Sequence, residues 1–325
     1  MTSNPEFRLF DLGSNRQLAG EISEKLNVPL GTIEEQRFAD NEIYERIADS
    51  VRGIDVYVIQ SISDPVNDNF VKLMIFIDAA RRTSAKSINV IMPYFGYARS
   101  DRKARSREPI VARLIADMLE SQGVKRTMTM DLHTSQVQGF FDIPVDHLLA
   151  MPVQTHYYYE RGITGDDVVV VAPNPNSLKM VQRFAKVLDA QWALVDHRTD
   201  LVLHGEPYQI TGDVKGKFAI VLDDMIDTGR TMVDAAEAVA AAGAKKVELM
   251  ATHAVLSDNA VEDLQNSPAD KVIVTNTIEV PAEKHFDKLV ELSVGSTFAD
   301  ALRQVIDQKS MAKVLLSPDN PEALK

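Results

Sequence analysis

The chain has 325 residues, 45% of them hydrophobic, with no cysteine and a formal net charge of −12. That length fits about two domains, and the missing thiols exclude disulfides and thiolate metal sites. The acidic balance argues against nucleic acid and anionic membranes as main partners; no apolar run reaches the length that spans a bilayer, residues 1–7 show no basic or apolar leader pattern, so secretion is not expected, and a cytoplasmic location is expected. Val56–Gln60 then reads as a strand that ends in the polar loop Ser61–Asn69. A helix follows, with Phe70, Leu73, Met74 and Ile77 on one face, and Ile88–Met92 is the next strand. Directly after Pro93–Tyr97 comes the densest basic stretch, carrying Arg99, Arg102, Lys103, Arg105 and Arg107. Ligands of open α/β sheets bind at such strand ends. A polyphosphate is the partner such a cation cluster suits.

The second half repeats the order strand, loop, helix, strand. Ile220, Val221 and Leu222 form an apolar strand ending in two carboxylates, Asp223 and Asp224. Asp227, Thr228, Gly229, Arg230 and Thr231 make a small-residue loop, and an Ala-rich helix over 232–242 stops at Gly243. Loop amides and the two threonine hydroxyls can donate to a phosphate at the positive end of that helix. The carboxylates make sense as acceptors for sugar hydroxyls or as neighbours of a divalent cation. Val247–Ala251 is the following strand. This alternation predicts parallel α/β sheets in both halves. The expected domains are 1–148 and 149–310, with 311–325 as an extension whose end, Ser317–Pro321 and beyond, is a loose tail.

The pattern from Asp223 to Thr231 resembles the ribose 5-phosphate motif of phosphoribosyltransferases and PRPP synthetases. Further matching stretches are Arg37–Glu42, Ser50–Gly53, Pro65–Asn69, Pro93–Ile110, Met130–His133, Gln138–Pro144 and Ala251–Ser257. Taken together and in order, they make the chain similar over nearly its full length to the ribose-phosphate pyrophosphokinase (PRPP synthetase) family. The resemblance implies two phosphoribosyltransferase-like domains, each a mainly parallel sheet flanked by helices. It implies transfer of the diphosphoryl group of ATP to the 1-hydroxyl of ribose 5-phosphate, with Mg²⁺, giving PRPP and AMP. It also implies dimers that build a hexamer. Carried over by position, Phe38, Asp40 and Glu42 would hold the adenine of ATP across a subunit boundary, and Arg99 and Asp101 would complete the nucleotide site. Asp223, Asp224, Asp227, Thr228, Gly229, Arg230 and Thr231 would take ribose 5-phosphate. His133 would be a metal ligand, and Arg52 falls where the family binds a regulatory phosphate or ADP.

Several positions depart from the family pattern. Where the family has Ser-Pro-Asp followed by paired glycines, this chain has Ala172, Pro173, Asn174, Pro175, Asn176 and Ser177. Asn174 would hold Mg²⁺ more weakly than a carboxylate, and Pro175 removes an amide donor. The catalytic loop pattern Asp-Lys-Arg-Arg is replaced by Asp196, His197, Arg198 and Thr199, leaving His197 and Arg198 as the catalytic candidates. Loss of one cation aimed at transition-state charge commonly costs about 10²–10³ in rate. Ser100 replaces a usual Gln, and Arg230 a usual Gly. Two readings follow: an active synthetase, or a catalytically weak homologue that serves as a regulatory or associated subunit, in a hetero-oligomer with an active synthetase.

Overall fold

Residues 7–196 and 208–314 are described by a computed structural model, in which the two α/β halves each carry their own sheet. In chain order the first half runs β1 (Phe7–Asp11), α1 (Arg16–Leu26), β2 (Ile33–Arg37), β3 (Ile43–Ile47), β4 (Asp55–Ile59), α2 (Val66–Arg82), β5 (Ser87–Met92), α3 (Val111–Ser121), β6 (Arg126–Met130) and β7 (Val145–Leu148). Its sheet has the order β1-β4-β5-β6-β7, parallel throughout, while β2 and β3 form a separate antiparallel hairpin. The α2 stripe is buried at Phe70, Leu73, Phe76, Ile77 and Ala80, and Met74 sits at its margin.

The second half runs α4 (Met151–Tyr159), β8 (Val168–Ala172), α5 (Leu178–Val187), β9 (Gln191–Asp196), β10 (Gln209–Thr211), β11 (Phe218–Ile226), α6 (Arg230–Ala241), β12 (Lys246–Ala254), α7 (Ala260–Asn266), β13 (Lys271–Thr275) and β14 (Leu289–Leu292). The sheet order is β10-β9-β8-β11-β12-β13-β14, with β10 antiparallel to β9 and the other pairs parallel. Four consecutive valines make β8 a strand buried on both faces. Val168 and Val170 pack with Phe184 of α5, and Val169 and Val171 with Met232 and Ala235 of α6. The alternation is the two-residue period of a strand covered by helices on both sides. From β8 the chain moves outward to β9, and from β11 it moves the opposite way to β12. The carboxyl ends of β8 and β11 therefore flank a topological switch point, where open α/β sheets leave a crevice for ligands.

The partition corrects the expected boundaries at the end of the chain. Thr277–Glu279 and the described residues 294–314 group with the first unit, although 149–310 was expected to be one domain. The reason is packing: α8 (Gly295–Ile306) buries Phe298, Ala301 and Leu302 and lies against α1. Arg303 donates to the Lys25 carbonyl at the end of α1 (3.0 Å), and Glu279 accepts the Arg16 amide at its start (2.7 Å). A cation and an anion thus sit at the helix ends that favour them. Met311–Lys313 form a 3-10 turn, and 315–325 lie outside the described residues. Among the described residues no helix is long and apolar enough to cross a membrane.

One buried acid stands apart from the core. Glu45 on β3 is 8% exposed, and neither carboxyl oxygen has a hydrogen-bond partner. Glu35 lies opposite it across the hairpin, and Lys72 of α2 spends its charge on Glu35 at 2.6 Å. Burial therefore pushes the Glu45 pKa from an ordinary 4.5 to about 7, with Lys72 opposing and Glu35 assisting. Between those values the folded chain keeps a proton that the unfolded chain releases, so this group's contribution to stability falls as pH rises through the window. Glu45→Gln is expected to exceed the parent in stability by up to about 3 kcal/mol near pH ~8, with the gap below about 1 kcal/mol near pH ~5. Urea unfolding at the two pH values checks this.

Candidate functional site

The site in the second unit grows from the ends of β8 and β11. The acid pair was expected just past the strand, but β11 continues through it: Asp223 pairs with Ala251, and the ladder runs on to Ile226 opposite Ala254. The neighbouring β12 is equally long, so the β11 backbone has partners beyond the apolar run and stays extended. Asp223 is half-buried and held by three donors. Ser177 Oγ donates to its Oδ1 at 2.6 Å, the Asp224 amide to the same oxygen at 3.0 Å, and Asn174 Nδ2 to its Oδ2 at 3.1 Å. Burial raises the Asp223 pKa first, and the neighbouring Asp224 charge raises it further; the Ser177 bond pulls it down.

The loop after β11 is fixed from behind. The Ile226 carbonyl accepts from the Val255 and Leu256 amides, and the Asp227 carbonyl from the Ser257 amide, each at 3.0 Å. Gly229 turns the chain into α6 with φ of +79°, a conformation that costs side-chain-bearing residues strain. The expected helix start at 232 moves back to Arg230, because this turn already sets the next residues helical. The cap position of α6 is Gly229 itself, which has no side chain to offer its amides. Thr228, Arg230 and Thr231 are exposed around it. A helix start with glycine at its cap position and two hydroxyls and a guanidinium beside it is chemically an anion cradle. The acids precede it in the same strand–loop–helix unit.

Asn174, expected as a metal ligand, is occupied by its own neighbours. Its Oδ1 accepts from the amides of Asn176 at 2.9 Å and Ser177 at 3.3 Å, and its Nδ2 is turned to Asp223. The side chain ties the β8 loop to β11 and offers a cation no free oxygen in this arrangement. Ser177 is the residue that the sequence reading missed. A serine just before a helix reads as a cap; that its hydroxyl crosses to Asp223 follows only from β8 and β11 being neighbours.

In the first unit the candidates fall in two places. Arg99 and Asp101 follow β5, and His133 follows β6, so all three stand past carboxyl ends of adjacent parallel strands. Thr134 Oγ1 donates to Asp101 Oδ2 at 2.7 Å, which joins the basic loop to the residue beside His133. Arg99 and His133 are exposed, as are Arg102, Lys103, Arg105 and Arg107. Glu108 organises the loop by accepting the Ala104 and Arg105 amides, both at 2.8 Å. Gly96 allows the loops after β4 and β5 to approach: a Cβ there would lie 2.4 Å from the Ile62 carbonyl oxygen.

Phe38, Asp40 and Glu42 occupy the exposed turn between β2 and β3. The Phe38 amide donates to the Glu42 carbonyl at 2.9 Å and the Glu42 amide to Asp40 Oδ1 at 3.1 Å, so the three are held close by the turn itself. The Phe38 ring is 47% exposed, with its closest aromatic contact an edge-on approach to Tyr44. Arg52 donates to Ser84 Oγ at 3.3 Å. His197 and Arg198 lie outside the described residues. Among the described residues no group of three or more His, Asp or Glu side chains is clustered as metal ligands.

Comparison with known proteins gives a consistent set of relatives. Residues 7–123 match the N-terminal domain of ribose phosphate pyrophosphokinase, and residues 199–316 match the phosphoribosyl synthetase-associated domain. The ribose-phosphate pyrophosphokinase of Fusobacterium nucleatum subsp. nucleatum is 46% identical over 94% of this chain and 97% of its own length. The ribose-phosphate pyrophosphokinase of Bacillus caldolyticus is 46% identical with the same two coverages, 94% and 97%. Among solved structures, phosphoribosylpyrophosphate synthetase from Mycobacterium smegmatis superposes with a TM-score of 0.88 at 40% identity, over 93% of this chain and 99% of that one.

Gly229 provides a direct check on the loop. Gly229→Ala is expected to destabilise the chain by about 1 kcal/mol, because alanine is strained at positive φ. The same turn shapes the anion cradle, so a sugar phosphate should bind more weakly to the variant. Denaturant titration and calorimetry measure the two effects; unchanged affinity would separate this loop from phosphate binding.

Proposed function

The chain belongs to the ribose-phosphate pyrophosphokinase family, and we propose that it transfers the diphosphoryl group of ATP to the 1-hydroxyl of ribose 5-phosphate, giving PRPP and AMP. Within the chain, one observation carries the sugar side of this reading: the glycine-capped start of α6 follows, across the short loop after Ile226, on a strand that carries both acids near its end. The α6 amides and the Thr228 and Thr231 hydroxyls would take the 5-phosphate. Asp223 and Asp224 would accept from ring hydroxyls, which a phosphate-only site would not need. Arg230 adds positive charge beside the phosphate.

The first unit would take ATP. The exposed Phe38 ring offers a face for adenine, and Asp40 and Glu42 offer acceptors for its amino group. Arg99 and Asp101 stand at the strand ends with the basic loop, where cations suit a polyphosphate. The reading includes a cytoplasmic enzyme that assembles as dimers forming a hexamer, with the Phe38 turn serving a neighbouring subunit.

Mg²⁺ fits part of the donor set. Magnesium commonly takes one or two carboxylates and completes its shell with waters and substrate phosphates. In the second unit Asp224 supplies such a carboxylate, Asp223 being engaged by Ser177, Asn174 and the Asp224 amide; in the first unit the exposed His133 is the candidate contact. Asn174, with both ends of its amide engaged, does not fit as a ligand. When bound, the cation would neutralise charge on the polyphosphate. The chain's own work is to fix the sugar by its phosphate and hydroxyls, so that the 1-hydroxyl is held in one orientation.

AMP release from Mg-ATP, with and without ribose 5-phosphate, tests the proposal. Sugar-dependent release is expected, and Asp224→Asn should reduce it by about 10² or more. Binding of both ligands without sugar-dependent release would favour the associated-subunit reading, which the neutral residues Asn174 and Thr199 also favour.

A further inference from the structure

We propose that Ser177 is a positioning residue for Asp223, its buried hydroxyl setting the direction in which that carboxylate meets the sugar. The inference rests on the reading of Asp223–Thr231 as the ribose 5-phosphate site. Ser177 occupies the position before α5, where a serine ordinarily accepts from amides of the first helical turn. It makes no such bond, and its own backbone is already helical at φ −79° and ψ −12°. The hydroxyl instead donates to Asp223 Oδ1 at 2.6 Å, a length typical of a charge-assisted bond. The loop amides that need an acceptor are served by Asn174 Oδ1.

A carboxylate has about four lone-pair directions for donors. Three on Asp223 are taken by Ser177, Asn174 and the Asp224 amide. The Asp224 side chain is a further hydrogen-bond partner of Asp223, so a substrate hydroxyl can meet this carboxylate only from the side that these partners leave open. Ser177 is only 5% exposed, so it acts through Asp223 and not by touching the sugar. Removing its hydroxyl takes away the shortest of these bonds and opens Oδ1 to water, so the preset direction of the acceptor is loosened. The helix loses no cap, because this serine was not serving as one.

Ser177→Ala and Ser177→Thr, compared with the parent full-length chain, test this. The readouts are calorimetric affinity for ribose 5-phosphate, KM for each substrate, kcat and Tm. The alanine variant is expected to bind ribose 5-phosphate about 10- to 100-fold more weakly, the range of a hydrogen bond to a charged group. Its KM for the sugar should rise in parallel, with KM for ATP and Tm close to the parent. Threonine keeps the hydroxyl and should bind the sugar within about threefold of the parent. Parent-like sugar affinity in the alanine variant overturns the inference, as does equal loss of ATP and sugar binding or a threonine variant as weak as alanine. If the parent itself fails to bind ribose 5-phosphate, the functional reading falls first, and the inference with it.

Discussion

The second unit is organised around one carboxylate held where two strands diverge. Asp223 lies in β11, its donors Asn174 and Ser177 lie just past β8, and these strands are neighbours only because the sheet order reverses between them. Chain connections leave β8 and β11 in opposite directions, so neither covers the crevice between their ends. The helices keep to the two faces and pack on the valines of β8 and the apolar run of β11. Asp223, Asn174 and Ser177 are thereby brought together at the carboxyl ends of these two strands.

That placement resolves an electrostatic conflict in the sequence. The chain is acidic overall, and its acids sit beside the loop that would bind an anion. Asp223 does not face that loop as an uncompensated charge, because two side chains and an amide donate to it. Burial and the adjacent Asp224 both favour its protonated form, while Ser177 favours the ionised one. Positive potential for a phosphate would come from the start of α6 and Arg230, not from net charge. In the first unit, the exposed basic loop after β5 would perform the corresponding task with side chains.

Much of this was legible from residue order. Valine and isoleucine runs marked the buried strands, the Phe70–Ile77 spacing marked α2, and Gly243 marked the end of α6, where it adopts φ of +91°. The loop after β11 was legible because its chemistry is local: glycine, two threonines and a helix start are adjacent in the chain. Contacts between distant segments were not. Asn174 looked like a weakened cation ligand because its partner Asp223 is 49 residues away and the β8–β11 pairing is not in sequence order. Ser177 carried no legible role for the same reason. Neighbouring strands, not propensity, decided that β11 runs through its acids. The last helix reads equally well in either half, and only its packing on α1 assigns it to the first.

A crystal structure of the chain with ribose 5-phosphate bound tests the central claim most directly. The account predicts the phosphate against the α6 amides near Thr228 and Thr231, with sugar hydroxyls on Asp223 and Asp224 and the Ser177–Asp223 bond intact. A phosphate bound instead on the basic loop at Arg99–Arg107, with no sugar contact to Asp223 or Asp224, would contradict it.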